Sequence, residues 1–166
     1  DQNPALKANS LTALAVDWRY AFPQPSDPTK TFPILYAAGD GGVFRTTDGD
    51  QPDPIWYPVT NGIADLSVVS LAVSPNYNRC DRLGTGDSTV YAGTRSGMLY
   101  RTSDGGATWY PANSGLPTTS GTANYSVAAL AVSPNYASDR TVLAAVQSIA
   151  AGGPDGVFRS TDAGST

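Results

Sequence analysis

Arg101-Thr102-Ser103-Asp104-Gly105-Gly106-Ala107-Thr108-Trp109 decides the reading of this chain, because it recurs. Arg159-Ser160-Thr161-Asp162-Ala163-Gly164-Ser165-Thr166 follows the same pattern up to the position where a tryptophan would come next. A degraded version, Arg45-Thr46-Thr47-Asp48-Gly49-Asp50, reaches its tryptophan only at Trp56. A short motif returning at near-constant spacing marks a repeat architecture, in which one supersecondary unit is stacked several times.

Working outward, further markers recur in register. Leu71-Ala72-Val73-Ser74-Pro75-Asn76-Tyr77 returns as Leu130-Ala131-Val132-Ser133-Pro134-Asn135-Tyr136, with a weaker copy at Leu14-Ala15-Val16-Asp17-Trp18-Arg19-Tyr20. Leu35-Tyr36-Ala37-Ala38, Val90-Tyr91-Ala92-Gly93 and Val142-Leu143-Ala144-Ala145 form a second series. Gly42-Val43-Phe44-Arg45, Gly97-Met98-Leu99-Tyr100-Arg101 and Gly156-Val157-Phe158-Arg159 form a third. One repeat segment thus spans 1–166, with units at about 10–66, 67–125 and 126–166, the last truncated.

Each unit reads as four short strands. The first (68–74 and 127–133) alternates small and branched apolar residues and ends at a Ser-Pro-Asn turn. The second (89–94) and third (98–102) flank a glycine-containing hairpin loop, Arg95-Ser96-Gly97, and the fourth begins at Thr108-Trp109-Tyr110. No sustained helical period is present, and glycine and proline interrupt the chain throughout. Tandem four-stranded antiparallel units with a small-residue first strand predict an all-β chain, a β-propeller with about three blades covered and the last incomplete. The excess over common propeller repeats sits in loops 78–88 and 110–125.

Within the recurring turn, an aspartate carboxylate can accept bonds from nearby backbone N–H groups. Glycine supplies a left-handed backbone, and tryptophan adds a large apolar face that locks the loop onto its blade. The pattern Ser/Thr-x-Asp-x-Gly-x-Thr-Trp resembles the Asp-box of bacterial-neuraminidase-type repeats, and two of the three copies match it well. Thr102, Asp104, Gly106, Thr108 and Trp109 match in the second unit. Ser160, Asp162, Gly164 and Thr166 match in the third, and Thr46 and Asp48 in the first. The resemblance extends to sortilin-like, photosystem-assembly-factor-like and oligoxyloglucan-hydrolase-like Asp-box propellers. It implies that the motif lies on the blade periphery as a structural element, away from any active centre.

Composition narrows the chemistry. Histidine is absent, and all 14 acidic residues are aspartates, against 10 Lys and Arg, for a net charge of −4. No Ser-His-Asp, Cys-His or His-based zinc arrangement can be built from these residues. The Tyr–Glu pair that the resemblance implies for sialidases is also missing. Two-aspartate glycoside hydrolysis remains chemically open. Its candidate is Asp40, whose Asp40-Gly41-Gly42 context is similar to a segment near the catalytic aspartate of oligoxyloglucan-type hydrolases. The same residues also read as a plain hairpin turn. Asp48, Asp50 and Asp53 lack a recognised calcium-loop spacing, so neither a metal nor a cofactor is expected.

Scattered basic residues argue against nucleic acid, and no apolar run is long enough for membrane insertion. Abundant Gly, Ser, Thr and Tyr, with little Lys and no Glu, suit an extracellular or cell-surface β protein. Cys80 is the single cysteine and is expected to be a free thiol, and Asn124-Tyr125-Ser126 forms a glycosylation tripeptide. Trp18, Trp56, Tyr57, Tyr77, Trp109, Tyr110 and Tyr136 are expected to pack mainly between blades, a minority offering a carbohydrate- or protein-binding surface.

In sequence register, 4–16 aligns with 61–73, so the segment starts after one fourth strand and stops before another. The expectation is either a part of a longer propeller or an assembly completed by strands from neighbouring subunits. The function expected is that of a non-enzymatic structural or interaction scaffold, with a protein partner or self-association. The alternative is a piece of a polysaccharide-cleaving propeller.

Overall fold

The structure is a computed structural model that describes residues 6, 10–17, 34–77, 87–117, 125–149 and 155–165. Trp18, Tyr20, Cys80, Asn124, Pro154 and Thr166 lie outside the described residues, as do most of loop 78–88 and the middle of loop 110–125.

The chain is all-β, built as three antiparallel sheets in sequence order. The first contains β1 (Leu11–Val16), β2 (Leu35–Gly39), β3 (Gly42–Thr46) and β4 (Tyr57–Pro58). The second contains β5 (Val68–Val73), β6 (Val90–Thr94), β7 (Leu99–Thr102) and β8 (Tyr110–Pro111). The third contains β9 (Tyr125–Val132), β10 (Val142–Ser148) and β11 (Gly156–Ser160). Each strand pairs with its sequence neighbour, the arrangement that short hairpin loops favour. The described strands form three separate sheets and no closed barrel. One short helix, α1 (Tyr136–Asp139), follows β9, and no helix among the described residues is long and apolar enough to cross a membrane.

The fourth strand is shorter than expected. Thr108 and Trp109 are not in it, because their N–H groups leave the sheet. Thr108 donates to the Asp104 carboxylate at 2.9 Å, and Trp109 donates to the Asn61 carbonyl at 2.8 Å. Only Tyr110 and Pro111 then pair with β7, as Tyr57 and Pro58 pair with β3.

Successive sheets pack face to face, and their first strands lie side by side, β1 on β5 and β5 on β9. Two apolar cores result. Tyr36, Val43, Val68, Tyr77, Val90 and Trp109 belong to the core between the first and second sheets. Tyr91, Leu99, Val127, Tyr136, Val142 and Val146 belong to the core between the second and third. Strand β6 serves both, since alternate side chains point to opposite faces: Val90 and Ala92 join one core and Tyr91 the other. All five of its residues are buried.

Small residues allow the close approach of the first strands. A Cβ on Gly93 would sit 2.4 Å from Ser70 Oγ and 2.6 Å from Val127 Cγ1, so that position must be glycine. Side-chain hydroxyls then tie one sheet to the next. Thr12 Oγ1 donates to the Val68 carbonyl at 2.7 Å, and Ser70 Oγ donates to the Val127 carbonyl at 2.6 Å. These bonds satisfy carbonyls at a boundary that apolar contact alone would leave polar.

Candidate functional site

The recurring turn is built from two hydrogen-bonded side chains rather than one. Thr102 Oγ1 donates to Asp104 Oδ1 at 2.6 Å and accepts from the N–H groups of Asp104 at 3.2 Å and Gly106 at 3.0 Å. The same Asp104 oxygen accepts from Thr108 N–H. In the third unit, Ser160 donates to Asp162 at 2.6 Å and accepts from the Asp162 and Gly164 N–H groups, while Asp162 accepts from Ser165 N–H at 3.0 Å. The degraded first copy keeps the Thr46–Asp48 pair, with Asp48 Oδ2 accepting from Ile55 N–H at 3.4 Å. The leading hydroxyl is therefore as much the hub of the turn as the carboxylate.

Burial acts to raise the pKa of Asp104, but hydrogen bonds from Thr102, Thr108 and Ala107 outweigh it and hold the carboxyl below its ordinary value. A depressed folded pKa contributes stability that is complete above the unfolded value, about 3.9. That contribution is lost as pH falls through the folded pKa. The urea midpoint is expected to fall between pH 5 and acid conditions below about pH 4, with a shallower fall in Asp104→Asn. An unchanged slope in that variant would remove Asp104 from the account.

Positive φ occurs at the centre of the second and third turns: Gly105 has φ 70° and Gly106 φ 93° in the second unit. The third unit places Ala163 at φ 64° before Gly164 at φ 83°. A Cβ in the left-handed region is strained, so Ala163→Gly is expected to raise stability by about 0.5–1 kcal/mol, read as a higher denaturation midpoint.

Trp109 does more than cover its own sheet. It is buried, and its indole N–H donates to the Val59 carbonyl at 2.7 Å while its backbone N–H reaches Asn61, both beyond β4 of the first sheet. Trp109 thus sits between units, where it was expected to pack, and fastens the second unit to the first. Trp56 is half-buried. Tyr57 and Tyr110 form the exposed minority of these aromatics, at 58% and 63%, because they point outward from two-residue edge strands.

A tyrosine clasp completes each boundary. Tyr36 on β2 donates to the Gly105 carbonyl at 3.0 Å and meets the Tyr77 hydroxyl at 2.7 Å. Tyr91 on β6 donates to the Ala163 carbonyl at 2.9 Å and meets the Tyr136 hydroxyl at 2.8 Å. A phenol has one proton, so Tyr77 donates to Tyr36 and Tyr136 donates to Tyr91. Both ring pairs are edge-on, with centroids 6.1 and 6.3 Å apart. Burial pushes the Tyr36 and Tyr91 hydroxyls far above the ordinary phenol range, and the neighbouring tyrosines push the same way. Arg45 adds a third bond, 2.8 Å to the Gly105 carbonyl. One unit's second strand thus grips the next unit's aspartate turn and Ser-Pro-Asn-Tyr turn together.

The Ser-Pro-Asn-Tyr turns have their own aspartates. Ser133 Oγ donates to Asp139 Oδ2 at 2.6 Å and accepts from Asn135 N–H, while Asp139 accepts from Thr141 N–H at 2.9 Å. Ser74, Asp87 and Thr89 repeat the arrangement, with Ser74 bonded to Asp87 and Thr89 N–H donating to Asp87 at 2.9 Å. The shared Asp-x-Thr-Val at 87–90 and 139–142 carries this signal in the sequence, as Trp-Tyr-Pro-x-x-x-Gly at 56–62 and 109–115 carries the tryptophan seat.

Asp40 lies exposed in the two-residue turn between β2 and β3, its N–H donating to the Ser10 carbonyl at 3.2 Å. Among the described residues, no group of three His, Cys, Asp or Glu side chains is placed to hold a metal ion, and Asp48 is engaged in its own turn. Among the described residues, the clasp tyrosines, Arg45 and the Trp109 indole converge at sheet boundaries, where they bind carbonyls and one another. No family model matches the sequence, and no curated protein matches it.

Proposed function

We propose that this chain is a segment of an Asp-box β-propeller and serves as a non-enzymatic, extracellular or surface-displayed scaffold for protein interaction. The observation that carries this reading is the clasp Tyr36–Tyr77–Gly105 and its repeat Tyr91–Tyr136–Ala163. Tandem units joined by one repeated polar device suit a rigid, extendable array whose loops vary without disturbing the frame. First strands that lie side by side support the propeller geometry, in which they line the centre. The partner is a protein or a further copy of the chain, with carbohydrate as the other ligand class that exposed Tyr57 and Tyr110 would suit.

The test is an incubation of the chain and Asp40→Asn with a panel of β-glucans, alongside light scattering for self-association. The scaffold reading expects no released sugar from either protein. Hydrolysis by the wild type that is abolished in Asp40→Asn would replace it with a glycoside hydrolase.

A further inference from the structure

Asn61-Gly62 is the one Asn-Gly step in the sequence, and it lies where the second unit meets the first. The Ile63 N–H donates to the Thr60 carbonyl at 2.9 Å and closes the turn 60–63. Positive φ falls on Gly62, at 93°, and not on Asn61. A turn with that bond and that sign pattern is type II, and its second residue has ψ near about +120°. The second unit repeats the turn at Asn113-Ser114-Gly115-Leu116, where Leu116 N–H donates to the Asn113 carbonyl at 3.0 Å and Gly115 has φ 76°. Asparagine thus holds the position in one unit and serine in the other.

Asn61 is exposed, yet it reaches the second unit twice. Its carbonyl accepts the Trp109 N–H at 2.8 Å, and its Nδ2 donates to the Ala107 carbonyl at 3.3 Å. Gly62 has no room for a side chain, since a Cβ there would lie 2.2 Å from the Trp109 carbonyl oxygen.

Asparagine before glycine is open to one particular reaction, because glycine has no side chain to obstruct attack by its own amide nitrogen. The Gly62 nitrogen, having lost its proton to base, bonds to Asn61 Cγ; the Cγ–Nδ2 bond breaks and ammonia leaves. Water then opens the cyclic imide at either carbonyl, giving aspartate or isoaspartate. In isoaspartate the main chain runs through Cβ and Cγ, so the backbone gains a carbon. Ring closure requires the Gly62 nitrogen to eclipse Cβ about the Cα–C bond of Asn61. Tetrahedral geometry with the type II value of ψ holds it roughly a third of a turn away. The folded turn therefore blocks the reaction, and the bonds to Trp109 and Ala107 hold the turn in place.

We propose that Asn61 is a deamidation site gated by the boundary between the first two sheets. It reacts when the second unit lifts off the turn, and isoaspartate then prevents reclosure. The product lacks the Nδ2 donor to Ala107, and its longer backbone displaces the acceptor of the Trp109 N–H. A transient opening becomes a lasting one, with water as the only other reactant. Ser114 keeps the matching turn of the second unit free of this chemistry. The site stands on this geometry and is independent of the scaffold reading.

The experiment incubates the full chain in mildly alkaline buffer, with and without denaturing urea, and maps residue 61 by mass spectrometry of peptides. Modification at Asn61 is expected to be about a hundredfold or more slower in the folded chain than in urea. Trp109→Phe, kept without urea, should speed it about tenfold. Chain carrying isoaspartate, separated by ion exchange, should unfold at lower urea than unmodified chain. Absence of reaction at Asn61 in urea, equal rates in the two buffers, an unchanged rate in Trp109→Phe or an unaltered midpoint in the modified chain would each overturn the proposal. The comparison of the two buffers uses the wild type alone and decides the matter even where Trp109→Phe fails to fold.

Discussion

Trp109→Ala is expected to lower the unfolding free energy by about 3–5 kcal/mol, the largest single-residue loss in the chain. The indole fills the boundary between the first two sheets, so its removal leaves a void against Val59 and Gly106 as well as lost apolar burial. It also orphans the Val59 carbonyl, which accepts the indole N–H at 2.7 Å. A domain's whole stability is about 5–15 kcal/mol, so the variant should unfold at far lower urea. Trp109→Phe should recover most of the packing but not the bond, leaving a loss of about 1–3 kcal/mol. Urea titration followed by far-ultraviolet circular dichroism measures both. A loss below about 1 kcal/mol for Trp109→Ala would show that the residue is peripheral.

Tyr91→Phe is the second large effect, at about 2–4 kcal/mol, although it removes one oxygen atom. That oxygen donates to the Ala163 carbonyl and accepts from Tyr136, so its loss strands a buried acceptor and a buried donor together. Tyr136→Phe leaves the Tyr91–Ala163 bond intact and should cost only about 1 kcal/mol. Tyr36→Phe should cost less than Tyr91→Phe, because the Gly105 carbonyl keeps its bond from Arg45. The order Tyr91 > Tyr36 > Tyr136 follows from proton direction and from the Arg45 bond, and burial of the four rings is too similar to produce it.

Strand positions were legible because the recurrent markers are themselves strands and turns: Val68–Val73 begins with alternating burial and runs into a Ser-Pro-Asn turn, while Val90–Thr94 is buried throughout and ends at a glycine-containing loop. The aspartate turn was legible as a local device, since Thr102, Asp104 and Thr108 bond within seven residues. What the turn is for was not. Its Gly105 carbonyl is bonded by Tyr36, and its tryptophan by Val59, contacts that depend on how one sheet stacks on the next. Tyr36 and Tyr91 sit in an obvious repeat yet look like ordinary strand tyrosines until the partner sheet is placed. Leu143 fills their position in the third unit, and only the structure gives that substitution meaning: this sheet presents no hydroxyl for the same clasp. Tyr57 and Tyr110 are exposed because an aromatic in a two-residue edge strand has no second layer to enter, which the sequence alone does not assign to particular residues.

The central claim is that adjoining sheets are joined by one shared hydrogen-bonded unit rather than by independent contacts. A double-mutant cycle of Tyr91→Phe and Tyr136→Phe tests it most directly. The account predicts that the double variant costs no more than Tyr91→Phe alone, a coupling of about 1 kcal/mol or more, since removing the second hydroxyl relieves the stranded donor. Losses that simply add would contradict it.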